Sequence, residues 1–486
     1  MSIHQRQKRL YHLSILGLII SILIGMIGGV LIGLNPFIPL GILVLFGVVY
    51  FFFNNFETSV IAILVLRSSL DIFTLFPNGI LGQVPAIFTA GIMVLTLLYF
   101  VGRLLHRQPI HIDIFGILLG GWVLLQGVWI PLMALGGLGL NSSFLMESVY
   151  EWIRYLSWVF IYLLVMQLKG RVLPKRILST LFLSLVTPIL FAILQVIIPT
   201  KLPEFLIYKG VEPGAVEVAY RVNGTFGHPN SFAVYLILFI ALTFWKIETV
   251  ENRWQWFILL GFLVFFLVDT KTLITLVMLA VVVMTVILSK LDLLKLISGT
   301  SFFAIVVSIF ASSDFGQTRL GSIANTPLLN PHIDISRAIL LARWDYNSFN
   351  WRISQWSYLL GKCQDYPIFG YGLGVSSFVS TNTLMPHNDY VRSLVDGGIC
   401  GFILHLAFLG GQIIYLMFLL RKSSYCKSQH ELCLCLLGVV LATVVGMLTE
   451  NVMICTAFYM YFWIVLAVAG WDWEDQPAIS LLKVTS

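Results

Sequence analysis

Charge is scarce in this 486-residue chain: only 11% of its residues are Asp, Glu, Lys or Arg, where a soluble domain carries about a quarter. With 58% hydrophobic residues and a mean hydropathy of +0.93, that shortage excludes a soluble globular protein. Strand-length alternation is missing too, which excludes a β-barrel. The apolar runs have instead the roughly 17 to 25 residues that a helix needs to cross about 30 Å of hydrocarbon. Cysteine is thin: six are present, of which only Cys363 is expected in a loop outside the cytoplasm, so no disulfide framework follows. The expected outer loops hold neither Asp-x-Asp nor a His cluster with metal spacing, and the acidic run WDWEDQ falls on the expected cytoplasmic tail. No Walker loop appears, and the G-x-G-x-G beginning at Gly370 faces a compartment without nucleotide.

What is there is a series of fourteen candidate spans, near residues 13–34, 38–54, 58–71, 84–102, 113–134, 151–168, 177–199, 231–246, 254–269, 271–289, 294–312, 397–420, 431–448 and 452–470. The third is short and contains Arg67. The expected fold is an all-α polytopic transmembrane helix bundle of about 12 to 14 spans. It forms one integral membrane domain over 1–486, with a long extracytoplasmic loop at 313–396 that carries amphipathic helices. The basic N-terminus MSIHQRQKRL precedes an apolar run too long for a signal-peptide core, so it reads as a retained first span.

The net charge of +6 sorts by side. With the N-terminus inside, the short inner segments hold most of the Lys and Arg, as the positive-inside rule expects. Apart from Lys271, the outer cations fall in two long segments, 200–230 and 313–396. Orientation rules lose force in long loops, so function is the better reason for charge there.

The first outer segment ends in RVNGTFGHPNSFAVYL. Gly224 and Gly227 permit a tight bend, and Pro229 suits the first turn of the helix that follows. Arg221 is thereby held near the outer mouth of the bundle, beside Asn223, His228 and Asn230. In the second segment, SFNWRISQWSYLLGKC offers Asn350 as an N-cap. Ile353, Trp356, Leu360 and Cys363 then share one helical face, and Arg352, Gln355, Leu359 and Lys362 another. Such a helix suits the membrane surface, where Trp351 and Trp356 sit at the interface. The stretch DYPIFGYGLG follows, whose alternate glycines Gly370, Gly372 and Gly374 allow close approach of the backbone to a partner.

MPHNDYVRSLVDGGICGF supplies the third constellation. Asn388 is a plausible N-cap for a helix running towards Asp396, which places His387 beside the positive end of the helix dipole and favours a neutral imidazole. A neutral His accepts a proton from a hydroxyl; a surface loop His is the plain alternative. Arg392 and Asp396 are spaced to pair across one turn, as are Arg67 and Asp71, and Arg154 has Glu151 or Glu147 within reach. Lys271, in the outer turn DTKT, has Asp269 as a partner or is free for an anion. An outward-facing Arg, Lys and His beside lipid suit a membrane-borne anion, such as a diphosphate, and a hydroxyl to be deprotonated.

At these residues the chain resembles the O-antigen ligase and O-antigen polymerase family of polytopic membrane glycosyltransferases. RVNGTFGHPNSFA is similar to the family's Arg and G-x-x-x-x-P-N segment. WRISQWSYLLGKCQDYPIFGYGLG is similar to its arginine-bearing helix followed by P-x-x-G-x-G, and PHNDYVRSLVDGGICGF to its His-Asn segment followed by glycines. The order matches over roughly residues 150 to 450. The resemblance implies transfer of a glycan from an undecaprenyl diphosphate-linked donor to a sugar hydroxyl on an acceptor glycan or glycolipid, at the extracytoplasmic face of a bacterial inner membrane, without metal or other cofactor. Carried over, Arg221 and Arg352 bind the diphosphate, His387 is the general base, and Asn223, Gly224, His228, Asn230, Gly370, Gly372 and Asn388 shape the site. The family often has Ser-Arg where this chain has Thr270 and Lys271, so Lys271 stands as a third, point-charge cation. The alternative is a transporter of a small anion such as bicarbonate, since some members of the family have been named as inorganic-carbon carriers. A transporter calls for ionisable groups at the midplane and an inverted repeat, whereas here the cations gather at one face and no repeat is visible.

Overall fold

The computed structural model describes residues 37–76, 81–210, 219–289, 293–344, 348–381 and 383–473. The expected first span, 13–34, and the acidic tail beyond residue 473 lie outside them. The chain divides into two compact units, residues 1–60 and 61–486. The described part of the first holds α1 (Phe37–Asn54) and the opening turn of α2 (Phe56–Leu70). Here the Phe52 and Phe56 rings meet edge-on at 5.4 Å.

The second unit continues α2 and adds α3 (Val84–Leu105), α4 (Ile114–Gln126), α5 (Trp129–Leu135), α6 (Leu145–Met166), α7 (Pro174–Leu181) and α8 (Val186–Ile197). A two-stranded antiparallel ribbon, β1 (Tyr208–Gly210) and β2 (Ala219–Arg221), precedes α9 (Pro229–Thr249). Then come α10 (Trp254–Asp269), α11 (Leu273–Leu288), α12 (Leu293–Ser312), α13 (Asp314–Ala324), α14 (Ile335–Trp344), α15 (Ser348–Cys363) and α16 (Ser376–Val379). The last three helices are α17 (Asp389–Lys422), α18 (Lys427–Gly446) and α19 (Thr456–Ala469). Among the described residues, eight helical stretches are long and apolar enough to cross a membrane, and five shorter apolar helices accompany them. The protein is therefore an all-α polytopic membrane bundle.

Burial orders these helices. About the centre stand α9 and α18, whose spans are 78% and 72% buried, against 22% for α3. Small residues let the central helices approach: a Cβ at Gly438 of α18 would lie 3.3 Å from the Val282 Cα of α11. Aromatic stacking fills the space between α4, α6, α17 and α19, with Trp122 against Phe408 at 4.2 Å and Trp158 against Tyr459 at 4.4 Å.

The two ends of this arrangement differ chemically. At one end Lys169 and Lys422 both reach Asp472 at 2.7 Å, and Lys246 donates to Ser179 Oγ at 2.7 Å. All three lysines belong to the segments expected inside. At the other end begin α9, α17 and α19, and there the segments 200–230 and 313–396 meet.

α17 is one long element with a break. Gly398 takes φ 60° and ψ −161° inside it, freeing backbone groups that a helix would otherwise pair. The stretch Pro367–Gly372 fills them: Tyr371 N donates to Val395 O, Gly372 N to Asp396 O, Ile399 N to Pro367 O and Cys400 N to Ile368 O, at 2.8 to 3.2 Å. The close approach expected of Gly370 and Gly372 is thus made to this break. A Cβ at Gly370 would lie 2.4 Å from Val395 O, and one at Gly372 2.3 Å from Met133 Sδ.

Candidate functional site

The site is built on the starts of α9 and α17 and the turn before α19. His228 caps α9, its Nδ1 accepting from Asn230 N at 3.1 Å with Pro229 in the first turn. Asn388 caps α17, its Oδ1 accepting from Tyr390 N and Val391 N at 3.0 Å each. Both helix starts follow the sequence reading. Asn350 does not cap α15, which begins at Ser348. It is buried inside the helix and accepts from Thr326 Oγ1.

One face of α15 is packed inward. Leu359 is fully buried and packs with Val391 and Val395 of α17. On the same side, Gln355 Nε2 donates to Ser380 Oγ at 2.7 Å and Leu384 O at 2.9 Å. Leu360, expected on the apolar face, is exposed. The face that carries Arg352 is therefore turned to the protein: Gln355 finds its partners at Ser380 and Leu384, and Arg352 at Thr449 and Glu450.

The sequence reading passed over Glu450, which lies between α18 and α19 and is 5% exposed. His387 Nδ1 lies 3.2 Å from its Oε1, and Arg352 Nη2 lies 3.9 Å from its Oε2. Asn230 Nδ2 donates to Oε2 at 2.5 Å. Asn230 Oδ1 in turn accepts from Arg221 Nη2 at 2.7 Å and from Thr272 Oγ1 at 3.1 Å. Arg221 and Arg352, 131 positions apart in sequence, are thus joined by two residues. Arg221 Nε also donates to Thr270 O at 2.9 Å, and Tyr208 presents its ring 5.6 Å from the guanidinium. Arg352 Nη1 donates to Thr449 O at 2.9 Å.

His387 holds a left-handed backbone, φ 48°, which costs a non-glycine residue of order 1 kcal/mol. Its neighbours impose it. Trp356 Nε1 donates to Pro386 O, Asn388 Nδ2 to Leu448 O at 2.8 Å, and Asp389 N to Met447 O at 2.9 Å. The Trp351 ring stands edge-on to the imidazole at 5.7 Å. Lys271 has a left-handed backbone as well, φ 54°. It lines a cavity of about 240 Å³ together with Arg221 and Asp269, and its ammonium lies 5.6 Å from the Phe315 ring. Asn223 and Gly224 hold the bend itself: both backbone N–H groups donate to Gln195 Oε1, at 3.1 and 2.9 Å.

Charge at the site is set by these contacts. The hydrogen bond and charge of His387, with Arg352 and His228 adding to them, hold the Glu450 carboxyl down to about 2 against its burial, which alone would raise it. Burial pushes His228 down to about 4, with Glu450 opposing and Arg221 assisting, so it is neutral at ordinary pH. Its Nε2 lies 3.1 Å from Tyr208 Oη. A carboxylate that accepts from Nδ1–H of His387 leaves Nε2 with a free lone pair, the arrangement of an oriented base. Gly370 and Gly372 take no part in this cluster. They belong to the clasp on α17.

The fold and the cluster together define an integral membrane protein with an arginine, lysine and histidine site at one end of its bundle. Residues 256–406 match the family model described as O-Antigen ligase, which bears out the resemblance to the O-antigen ligase and polymerase family and supports a membrane glycosyltransferase-like role in polysaccharide synthesis. The matched stretch includes Lys271, Arg352, Gly370, Gly372, His387 and Asn388. Arg221, His228, Asn230 and Glu450 lie outside it and join the site through the contacts described. No curated protein gives a significant match to the chain.

Proposed function

We propose that the protein transfers a glycan from an undecaprenyl diphosphate-linked donor to a sugar hydroxyl of an acceptor glycan or glycolipid, at the extracytoplasmic face of a bacterial inner membrane. The observation that carries this reading is the convergence of His387, Arg352 and, through Asn230, Arg221 on the single carboxylate Glu450. Arg221, Arg352 and Lys271 would hold the diphosphate, which leaves with its growing charge offset by cations already in place. His387 would take the proton of the attacking hydroxyl on Nε2 while Glu450 stabilises the imidazolium that forms, a device worth about 10² to 10⁴ in rate. The cations provide the charge stabilisation, so the proposed step calls for no metal.

The test is a reconstituted assay with a lipid diphosphate-linked glycan. Wild-type protein is expected to transfer it and His387→Ala to lose transfer. Supplying a second lipid-linked glycan or a lipid core as acceptor distinguishes polymerase from ligase. Wild-type protein that transfers to neither, yet moves bicarbonate into vesicles, would replace this reading by the transporter.

A further inference from the structure

A second cavity, of about 620 Å³, opens where the loop between α5 and α6 meets the end of α15. Its walls include Phe144, Tyr366, Tyr371 and Phe378, with Asn141 and Lys362 among them. None of these residues touches the Glu450 cluster. The rings are set by their own contacts: Tyr366 and Tyr371 meet edge-on at 5.0 Å, and Phe144 and Phe378 lie 5.1 Å apart. Tyr371 Oη donates to Lys362 O at 3.2 Å and to Asp365 Oδ2 at 3.3 Å, and Lys362 pairs with the same carboxylate at 3.1 Å. Gly139, with φ 93°, lays its backbone against Tyr366, since a Cβ there would lie 2.1 Å from the ring's Cγ. Even so, Tyr366 stays 38% and Phe378 49% exposed.

A water-filled surface loop has no use for four aromatic rings, and a lipid tail has none for an ammonium, an amide and two phenol hydroxyls on the same rim. A sugar uses both, because each pyranose offers C–H faces to rings and hydroxyls to polar groups. The distance is also suitable. Arg352 and Lys362 stand ten residues apart on α15, about 15 Å along a helix, so the cavity lies within the reach of a short oligosaccharide whose end is at His387.

We propose that this cavity is a saccharide subsite, which holds a sugar of the glycan chain several units away from the reacting bond. The inference rests on the glycan-transfer reading, and its test is arranged to separate the two. A benzophenone amino acid placed at Phe378 of the full chain, irradiated in membranes of cells whose sugars are metabolically labelled, should form a labelled glycan adduct whether or not transfer is observed. Tyr366→Ala should lower that adduct about fivefold, whereas Tyr366→Phe, which keeps the ring, should retain it. A phospholipid adduct alone, or no glycan adduct, overturns the subsite. In the transfer assay, Tyr366→Ala should raise KM about fivefold for a tetrasaccharide substrate, with kcat and the KM for a monosaccharide substrate unchanged. Varying donor and acceptor length separately shows which glycan occupies the cavity. Equal KM values for wild type and Tyr366→Ala with every substrate length would overturn the proposal while leaving the transfer reading intact.

Discussion

Two groups of arginine and carboxylate sit near the start of α17, and their chemistry differs. Around Arg392, which is 3% exposed, lie Glu151 at 2.7 Å, Asp396 at 3.4 Å and Asp389 at 3.9 Å. Each acid has a further partner: Arg154 for Glu151 at 2.6 Å, Ser376 N for Asp396 at 2.7 Å and Met453 N for Asp389 at 2.9 Å. Around Glu450 the balance is reversed. One carboxylate serves Arg352 and His387 directly and Arg221 through Asn230, and the side chains of Arg352 and His387 stay 22% and 21% exposed. Where carboxylates surround a buried cation, their spare oxygens take backbone N–H groups or a second arginine and fix the chain. Where cations outnumber the carboxylate and reach the surface, charge is left to offer an incoming anion. The first group holds the start of α17 still, and the second uses that stillness to present His387.

This contrast breaks most sharply at His387. His387→Ala should lower transfer at least about 10³-fold without a matching loss of thermal stability, measured as initial transfer rate beside the unfolding midpoint in detergent. The two arginines should then separate. Arg352→Met should cost about 10² in rate with a small stability change. Arg392→Met, which leaves Glu151, Asp389 and Asp396 without their buried cation, should cost about 3 to 5 kcal/mol of stability and drop the unfolding midpoint. Equal midpoints for the two variants would remove the distinction between the groups. Glu450→Gln, which takes away the carboxylate that orients His387, should lower kcat with little change in KM for the lipid-linked donor. His228→Ala should have the smallest effect on rate and retain a measurable fraction of transfer.

The dependence of stability on pH sharpens the same comparison. His228 is held down to about 4 from an ordinary 6.5, so between those values the unfolded chain binds the extra proton and stability falls as pH falls. Below about 4 this contribution is gone. Glu450, held to about 2 from 4.5, contributes fully above 4.5 and is lost as pH falls towards 2. The contributions of His228 and Glu450 to the midpoint should therefore fall in two separate pH ranges, and His228→Gln should lessen only the fall in the upper one.

Much of this was legible in the sequence. Apolar length located α1 to α12 and α17 to α19, and amphipathic spacing located α15, whereas α13, α14 and α16 were not read. The i, i+4 spacing found the pairs Arg67 with Asp71 and Arg392 with Asp396, and an Asn before an apolar run identified the cap of α17. Arg221, Arg352 and His387 stood out because charge in long outer segments of so apolar a chain calls for a reason. Glu450 escaped because its partners lie 63 to 220 positions away, and spacing reports only neighbours on one element. Its signal was present in TEN, a carboxylate in the short turn between two apolar spans. Arg392 showed the same limit: Asp396 was visible, but Glu151, 241 positions earlier, makes the shorter contact. The spacing on α15 grouped Gln355 with Leu359, which the structure places together on the packed side, but a periodic pattern leaves open whether lipid or protein covers each side.

The clasp of Pro367–Gly372 on the broken turn of α17 bears on how the chain is made. Its four backbone bonds join residues separated by only 24 to 32 positions, so closing the loop between them is cheap in entropy and the partners leave the biosynthetic machinery almost together. The Glu450 contacts, in contrast, wait for a stretch synthesised 63 residues after His387 and for the insertion of α18. A nascent chain stalled before that point would therefore already carry the bent α17 with its loop attached, while His387 had no carboxylate beside it. Assembly order alone would delay the Glu450 cluster until α18 is in place.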